Sequence, residues 1–180
     1  HELAQELTGD QERELAERAF GYWVSRKGKA PTGVRTPSWD FTANTLPIIR
    51  ELGLSYDSSL MSDDRPYELN EAGSPTGIVE LPVEWLLDDH PYFQMDPAHG
   101  VRSFIHPDAV LTIWRDEFDM AFREGTLFLL TMHPQVIGHR SRLLMLERLI
   151  EHLLGKPRVW FATHEAVARY ALEKTGRVQL

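Results

Sequence analysis

Apolar residues recur at helical spacing in five segments, which predicts helices at 7–28, 42–53, 106–125, 141–155 and 163–176. Thr8 and Gln11 have the spacing of a capping box at the start of the first segment, and Gly28 stops it. The first helix is expected to bury an apolar stripe: Leu15, Ala19, Tyr22 and Trp23. The fourth is expected to bury another: Leu143, Leu146, Ile150 and Leu153.

Short apolar runs between these helices predict β-strands within 31–39, 54–60, 77–87, 126–132 and 158–162; the first is a short strand that runs into a loop, and the second is a short strand and a turn. The stretch 88–103 is rich in Asp, His, Pro and Gly, and predicts a long surface loop. Strands that alternate with helices are typical of a parallel sheet covered by helices, so we predict an α/β fold. Chemistry in such folds gathers at the carboxyl ends of the strands.

Residues that come just after the predicted strands are therefore the candidates for a functional site. They are Arg35, Asp57, Trp85, Asp88, Asp89, His133 and His164. His133 ends the strand at 126–132; its imidazole could act as a general acid near neutral pH, or it could bond a backbone carbonyl at the turn. Arg35 could hold a carboxylate or an oxyanion, or it could be a surface residue.

The remaining candidates have equally open interpretations. Asp57 is either a turn former or a group that orients a histidine. Asp88 and Asp89 stand beside aromatic residues and form either a solvated acidic loop or part of a site. His164 is expected to open the last helix. Spacing alone identifies neither a complete metal site nor a catalytic triad.

Composition narrows the classes of partner. The chain has 19 Lys and Arg against 27 Asp and Glu, a net charge of −8, which disfavours binding to a phosphate backbone, so we expect no nucleic-acid partner. It has no cysteine, which excludes disulfides and thiolate metal sites. No apolar run could cross a bilayer and no secretion signal is visible, so we expect no membrane partner and a cytoplasmic location. Homo-oligomerisation stays open.

Four segments together resemble the polysaccharide deacetylase family of carbohydrate esterases, also called the NodB-homology family. Its third motif, an Arg-x-Pro segment followed by a helix and a Tyr-Asp-Ser-Ser turn, resembles GVRTPSWDFTANTLPIIRELGLSYDSSLMSDDRPYEL. Its fifth motif, a strand that ends in the catalytic histidine, resembles LFLLTMHPQVIGHRSRLLMLERLIEHL. The closing strand and helix resemble VWFATHEAVARY.

The fourth segment, IVELPVEWLLDDHPYF, resembles a signature of one branch of that family. This branch includes peptidoglycan-deacetylase-like proteins, cyclic imide hydrolases and metal-free allantoinase-like proteins. The resemblance covers nearly all of the 180 residues. It implies a deformed parallel (β/α) barrel.

The family's first motif, Thr-Phe-Asp-x-Asp, and the first histidine of its His-x-x-x-His motif have no counterpart in the sequence. The residues HELAQELT resemble the segment at the end of that second motif, so His1 is expected to be its second histidine and a metal ligand. The resemblance thus implies that 1–180 is the C-terminal two-thirds of a single deacetylase domain, without its N-terminal strands. It also implies a divalent metal, usually zinc, in the intact protein, although this chain alone could hold none.

The resemblance implies hydrolysis of carbon–nitrogen bonds other than peptide bonds, by metal-dependent N-deacetylation of an N-acetylated sugar or polysaccharide. His133 would protonate the leaving nitrogen, Arg35 would hold an upstream base aspartate, and Asp57 is a candidate to support His133. The candidates for substrate binding are Trp39, Trp85, Asp88, Asp89 and Tyr92. Two alternatives stay open: a hydrolase of small cyclic imides or amides on the same scaffold, and a catalytically inactive binding domain.

Overall fold

The chain folds into two compact units, one formed by residues 1–82 with 162–180 and the other by residues 83–161. The computed structural model describes residues 2–94 and 105–175, with the backbone alone for Thr175. The helices in these ranges are α1 (Gly9–Lys27), α2 (Thr45–Glu51), α3 (His90–Phe93), α4 (Pro107–Glu124), α5 (Pro134–Ile137), α6 (Arg140–Leu154) and α7 (His164–Thr175). The strands are β1 (Gly33–Val34), β2 (Tyr56–Asp57), β3 (Tyr67–Glu71) and β4 (Ser74–Glu80). Short 3₁₀ helices span Ala4–Glu6, Pro37–Trp39 and Trp85–Leu87.

The first unit contains one four-stranded sheet with the order β1-β2-β4-β3. β1, β2 and β4 run parallel, whereas β3 pairs antiparallel with β4 in a hairpin. The register aligns Val34 with Asp57, and Asp57 with Glu80, so the carboxyl ends of the three parallel strands lie side by side. The parallel sheet confirms the predicted α/β class. β3 has no counterpart among the predicted strands.

The core of the first unit lies between α2 and the sheet. Its buried members are Ile49, Leu54, Tyr67, Leu69 and Ile78. The predicted capping box of α1 is present, and Gly28 ends that helix at a φ of 64°. The predicted apolar stripe of α1 is wrong for three of its residues, because Ala19 is exposed and Tyr22 and Trp23 are 55% and 48% exposed. The buried residue of α1 is Glu12, which accepts hydrogen bonds from two threonine hydroxyls next to α2.

The core of the second unit is formed mainly by α4 and α6. Val110, Trp114 and Phe118 recur at helical spacing on α4, within the predicted helix at 106–125, and are buried. The buried face of α6 is instead Met145, Leu149 and Leu153. The predicted face was wrong for Leu143 and Ile150, which are 44% and 43% exposed. Leucines surround this helix on several sides, so their spacing could not show which side would meet α4.

The predicted strands at 126–132 and 158–162 are not strands in the structure. Within these two segments only Thr131 pairs with another strand segment, in a single parallel bridge with Asp88. A strand exists through backbone hydrogen bonds to a neighbour, and an apolar run cannot reveal whether that neighbour is present. The predicted loop at 88–103 begins with α3, and its residues 95–103 lie outside the described part of the chain.

None of the described helices combines the length and the apolar character that a membrane span requires.

Candidate functional site

The carboxyl ends of β1 and β2 position the Arg35 side chain. Arg35 Nε donates to the Ser58 carbonyl at 2.9 Å, and its Nη2 donates to Ser58 Oγ at 2.7 Å. The same Nη2 lies 3.3 Å from His164 Nε2, at the start of α7. Because a guanidinium carries only donors, that His164 nitrogen must be the acceptor. Three fixed contacts therefore orient a permanent positive charge at this edge of the sheet.

His164 was expected to open the last helix, and in the structure it also contacts Arg35. Its ring stacks on Tyr56, with centroids 5.9 Å apart. Burial, and then the charge of Arg35, lower the pKa of His164, so its imidazole is neutral at pH 7. Gly33 makes this stack possible, because a Cβ at that position would lie 2.3 Å from the Tyr56 ring.

Asp57 and Glu80 are neighbours in the register of β2 and β4, and both are fully buried. Asp57 Oδ1 accepts from Ser59 Oγ at 3.2 Å, and Glu80 Oε1 accepts from the Ser59 and Leu60 amides at 2.9 and 3.0 Å. Burial raises the pKa of Asp57, and the positive charge of Arg35 partly opposes that change. Asp57 was a predicted support for His133, but its described contacts are Ser59 and Glu80.

A second cluster lies in the other unit, where two chain segments meet at their carboxyl ends. Thr131 N donates to the Leu87 carbonyl at 2.8 Å, and Asp89 N donates to the Thr131 carbonyl at 3.2 Å. This short parallel pairing brings Asp89 and His133 to the same end. The position of a histidine directly after an apolar run is thereby explained.

Asp89 accepts two hydrogen bonds from His133. His133 Nδ1 lies 2.6 Å from Asp89 Oδ1, and the His133 backbone amide donates to Asp89 Oδ2 at 2.9 Å. The Asp89 side chain is fully buried, whereas the His133 side chain is 36% exposed. A carboxylate can only accept, so Nδ1 carries a proton and the tautomer of neutral His133 leaves Nε2 as the acceptor. Nε2 is then the nitrogen available to exchange a proton with another molecule.

The segment before Asp89 is held by the core of the second unit. Trp114 Nε1 and Tyr92 Oη each donate to the Leu86 carbonyl at 3.0 Å. Asp88 Oδ1 accepts from the His90 amide at 2.7 Å and lies 3.7 Å from His133 Nδ1. Burial raises the pKa of Asp88. The fully buried Trp114 thus connects α4 to the segment that carries both aspartates.

Asp88, Asp89 and His133 are also close enough to hold a metal ion. Asp88 Oδ1, both Asp89 oxygens and His133 Nδ1, however, already make hydrogen bonds to one another or to the backbone. A metal on His133 Nδ1 would displace the proton that Nδ1 shares with Asp89, so this arrangement does not fit a metal. The remaining metal candidate, His1, lies outside the described residues.

The predicted substrate-binding residues differ in exposure. Trp85 is 48% exposed, and Trp39 and Tyr92 are half-buried. Asp88 and Asp89 are only 4% and 0% exposed, so they do not form the solvated acidic loop that was one interpretation of the sequence. Asp89 contacts His133 instead. No local spacing signals this pair, because its members lie 44 residues apart.

The chain is similar to known proteins along almost its whole length. It is 30% identical to the peptidoglycan deacetylase of Helicobacter pylori over an alignment of 202 residues. The alignment covers 98% of this chain and 69% of that protein. A crystal structure from Mycobacterium smegmatis that carries the polysaccharide deacetylase name has a TM-score of 0.88 and 30% identity, and covers 100% of this chain and 63% of that one. The PuuE allantoinase structure has a TM-score of 0.79 and 27% identity, over 93% of this chain and 55% of that one. No family model matches the chain.

The names of the first two relatives agree with the family that the sequence resembles. The chain spans less than two thirds of either solved chain. Their folds confirm the expected class, a deformed (β/α) barrel with parallel strands. At 30% identity to a deacetylase of which it covers 69%, the chain belongs to the polysaccharide deacetylase family, whose members are hydrolases of carbon–nitrogen bonds.

Proposed function

We propose that the full-length protein hydrolyses carbon–nitrogen bonds other than peptide bonds, and that it removes acetyl groups from N-acetylated sugars of a polysaccharide. The observation that carries this proposal is the Asp89–His133 pair, in which a buried carboxylate fixes one imidazole nitrogen and leaves the other for chemistry. The names of the Helicobacter pylori and Mycobacterium smegmatis relatives support the choice of reaction.

In this proposal His133 is the general acid. An amine is expelled from a tetrahedral intermediate only when its nitrogen gains a proton, because its anion is a very poor leaving group. Protonated His133 would give the Nε2 proton to that nitrogen while Asp89 keeps the Nδ1 proton. Asp89 thus positions the ring and stabilises its positive form.

Arg35 has a separate role in this proposal. Its guanidinium, held by Ser58 and His164, would bind the carboxylate of the general base or an oxygen that gains negative charge. Asp57 would act through the turn that carries Ser58. Trp39, Trp85 and Tyr92 are proposed walls of a carbohydrate groove, since aromatic faces pack well against sugar rings.

The family is generally metal-dependent, and a divalent metal, when bound, polarises the acyl oxygen and a water molecule. Zinc is the metal that the resemblance suggests, with His1 as one ligand. Residues 1–180 are proposed to form the C-terminal two-thirds of a single deacetylase domain.

The test uses the full-length enzyme with N-acetylglucosamine oligomers, and measures released acetate. His133→Ala should lower kcat by about 10²- to 10⁴-fold, the usual contribution of a positioned acid. The loss should be smaller for an activated acetyl ester, whose leaving group needs no proton. His139→Ala is the matched control, because His139 is exposed and makes no capping hydrogen bond. Amide hydrolysis at the wild-type rate in His133→Ala would reject the assignment.

A second candidate is the opening of a small cyclic imide or amide, supported by the likeness to PuuE allantoinase. That reaction also expels a nitrogen and needs the same His133. Parallel assays with acetylated sugar oligomers, succinimide and allantoin distinguish the two substrates. Turnover of none of them by the metal-loaded full-length protein would favour the third alternative, an inactive binding domain.

A further inference from the structure

Two carboxylic side chains meet inside the first unit. Asp57 ends β2 and Glu80 ends β4, and the parallel register makes them direct neighbours. Both are 0% exposed. Acidic side chains are almost never fully buried without a partner, because burial strongly penalises their charge. Glu80 takes no part in the proposed reaction.

Each of these side chains has one oxygen that the surrounding protein satisfies. Asp57 Oδ1 accepts from Ser59 Oγ, and Glu80 Oε1 accepts from two backbone amides. The other two oxygens, Asp57 Oδ2 and Glu80 Oε2, are buried and meet no N–H or O–H group of any other described residue. The parallel register places the two residues opposite each other, and a side-chain hydrogen bond between them contributes to the pKa of both. Two bare carboxylates buried in this way would repel, whereas one proton between them satisfies both oxygens.

The surroundings decide which residue keeps the proton. Burial, followed by the negative charge of Asp57, raises the pKa of Glu80 to about 9. Arg35 favours the charged form of Asp57. The other titratable groups on elements packed around the pair include Tyr67 and Glu68 on β3, Tyr56 on β2, and His164, which contacts Arg35 from α7. None of these four supplies a positive charge at pH 7, so Glu80 remains the protonated partner.

The carboxyl pair holds the turn at 58–60, which accepts hydrogen bonds from Arg35. Glu80 fixes the backbone of Ser59, whose hydroxyl contacts both Asp57 and the Thr36 amide next to Arg35. Ser58, between them, receives two hydrogen bonds from Arg35 and donates one to the Leu81 carbonyl at 2.8 Å. We infer that Asp57 and Glu80 share one proton and that this proton positions Arg35 for the reaction by holding the turn at 58–60 in place. The inference rests on the proposed function for its catalytic part only.

Glu80→Gln is the decisive variant, since a glutamine amide donates to Asp57 and its oxygen still accepts from the two backbone amides. In the full-length enzyme, Glu80→Gln should keep a kcat/KM close to wild type at pH 7, and should extend activity to higher pH. Glu80→Ala should lower kcat/KM by roughly 10- to 100-fold, as expected for loss of a supporting hydrogen-bond partner. Glu68→Gln is the control, because Glu68 is also buried and bonded to a backbone amide but lies on β3 away from Arg35.

A second measurement does not depend on the reaction. Infrared difference spectra at pH 7 should contain the C=O stretch of one protonated carboxylic acid, which Glu80→Gln removes and Glu68→Gln retains. Absence of this band in the wild type would overturn the shared proton whatever the activity of the protein. A Glu80→Gln enzyme as impaired as Glu80→Ala, or one with the wild-type alkaline limb, would overturn the positioning of Arg35. If the band is present but His133→Ala has full activity, the proposed function fails and the shared proton stands.

Discussion

Asp89 is a buried carboxylate whose effect is exerted through a single neighbour. It accepts one hydrogen bond from the His133 ring and one from the His133 backbone amide. An asparagine in its place can satisfy only one of these donors, because its second terminal group is itself a donor. The NH₂ group would then favour the tautomer with the proton on Nε2, which cannot receive the proton that catalysis must recycle.

Asp89→Asn should therefore lower kcat on acetylated sugars by about 10²- to 10⁴-fold while the protein stays folded. Nitrogen-15 NMR of the His133 ring should report the change of tautomer. Asp88→Asn is the matched control: it can still accept from the His90 amide, and its effect on kcat should be less than about tenfold. Equal losses in the two variants would contradict the specific role of Asp89.

The hydrogen bond between Asp89 and His133 also implies where the metal does not bind. Zinc content of the purified full-length enzyme should fall in His1→Ala and should be unchanged in Asp88→Asn, because the hydrogen bonds around His133 do not leave its Nδ1 for a metal. The measurement is metal analysis after dialysis. Metal loss in Asp88→Asn with none in His1→Ala would place the ion at the aspartate pair.

Arg35 and His133 could be located from the sequence because both directly follow predicted strands. Their partners could not be identified in the same way. Asp89 lies 44 residues from His133, and His164 lies 129 residues from Arg35, so only the fold brings them together. Glu80 was missed for a different reason: it lies inside the apolar run 77–87, where a single acid gives no sign of a buried partner on another strand.

At the scale of single elements, α6, like α1, has a buried face that differs from the predicted one. Met145, Leu149 and Leu153 face the core, whereas Ile150, next to Leu149, is 43% exposed. Leu149→Ala should lower the unfolding free energy by about 2–5 kcal/mol through the lost contacts and the cavity. Ile150→Ala, the matched control, should cost less than about 1 kcal/mol. Urea denaturation measures both, and a larger effect at Ile150 would restore the predicted face.

The helices were predictable where local chemistry marks their ends. Thr8 and Gln11 form the capping box that their spacing indicates, and Gly28 and Gly125 end α1 and α4 in the left-handed conformation. Strands lack such local markers, since their hydrogen bonds go to distant residues. Thr131 is the one residue of its apolar run that pairs within the described chain, and β3, with its polar sequence, went unpredicted.

At the scale of the whole molecule, the Asp57–Glu80 pair should make the free energy of unfolding fall as the pH rises. The raised pKa of Glu80 means that the folded state binds one more proton than the unfolded state between the unfolded pKa, about 4.3, and about 9. Glu80 therefore makes its full contribution to the free energy of unfolding at acidic pH. This contribution is lost as the pH rises, at no more than about 1.4 kcal/mol per pH unit. Urea titrations of wild type and Glu80→Gln at several pH values measure the difference.

The opposite slope comes from Asp119, whose pKa is lowered by Lys156 and then His152. Its contribution is present above its unfolded pKa and is lost as the pH falls. The wild type should thus be most stable on the acidic side of neutrality, and Glu80→Gln should show a flatter curve between about pH 5 and about pH 9, the window over which Glu80 holds its extra proton. Parallel curves for the two proteins would contradict a protonated Glu80.

The first unit is discontinuous in the chain, since residues 1–82 are completed by α7 only after residues 83–161 have intervened. During synthesis, β1, β2 and β4 leave the ribosome long before the helix that contributes His164. The second unit is contiguous and can fold as soon as it emerges. Closure of the contact between Arg35 and His164 must bridge a separation of 129 residues, although its entropic cost grows only with the logarithm of that length. Arg35 is synthesised early, but its contact with His164 should consequently be among the last to form.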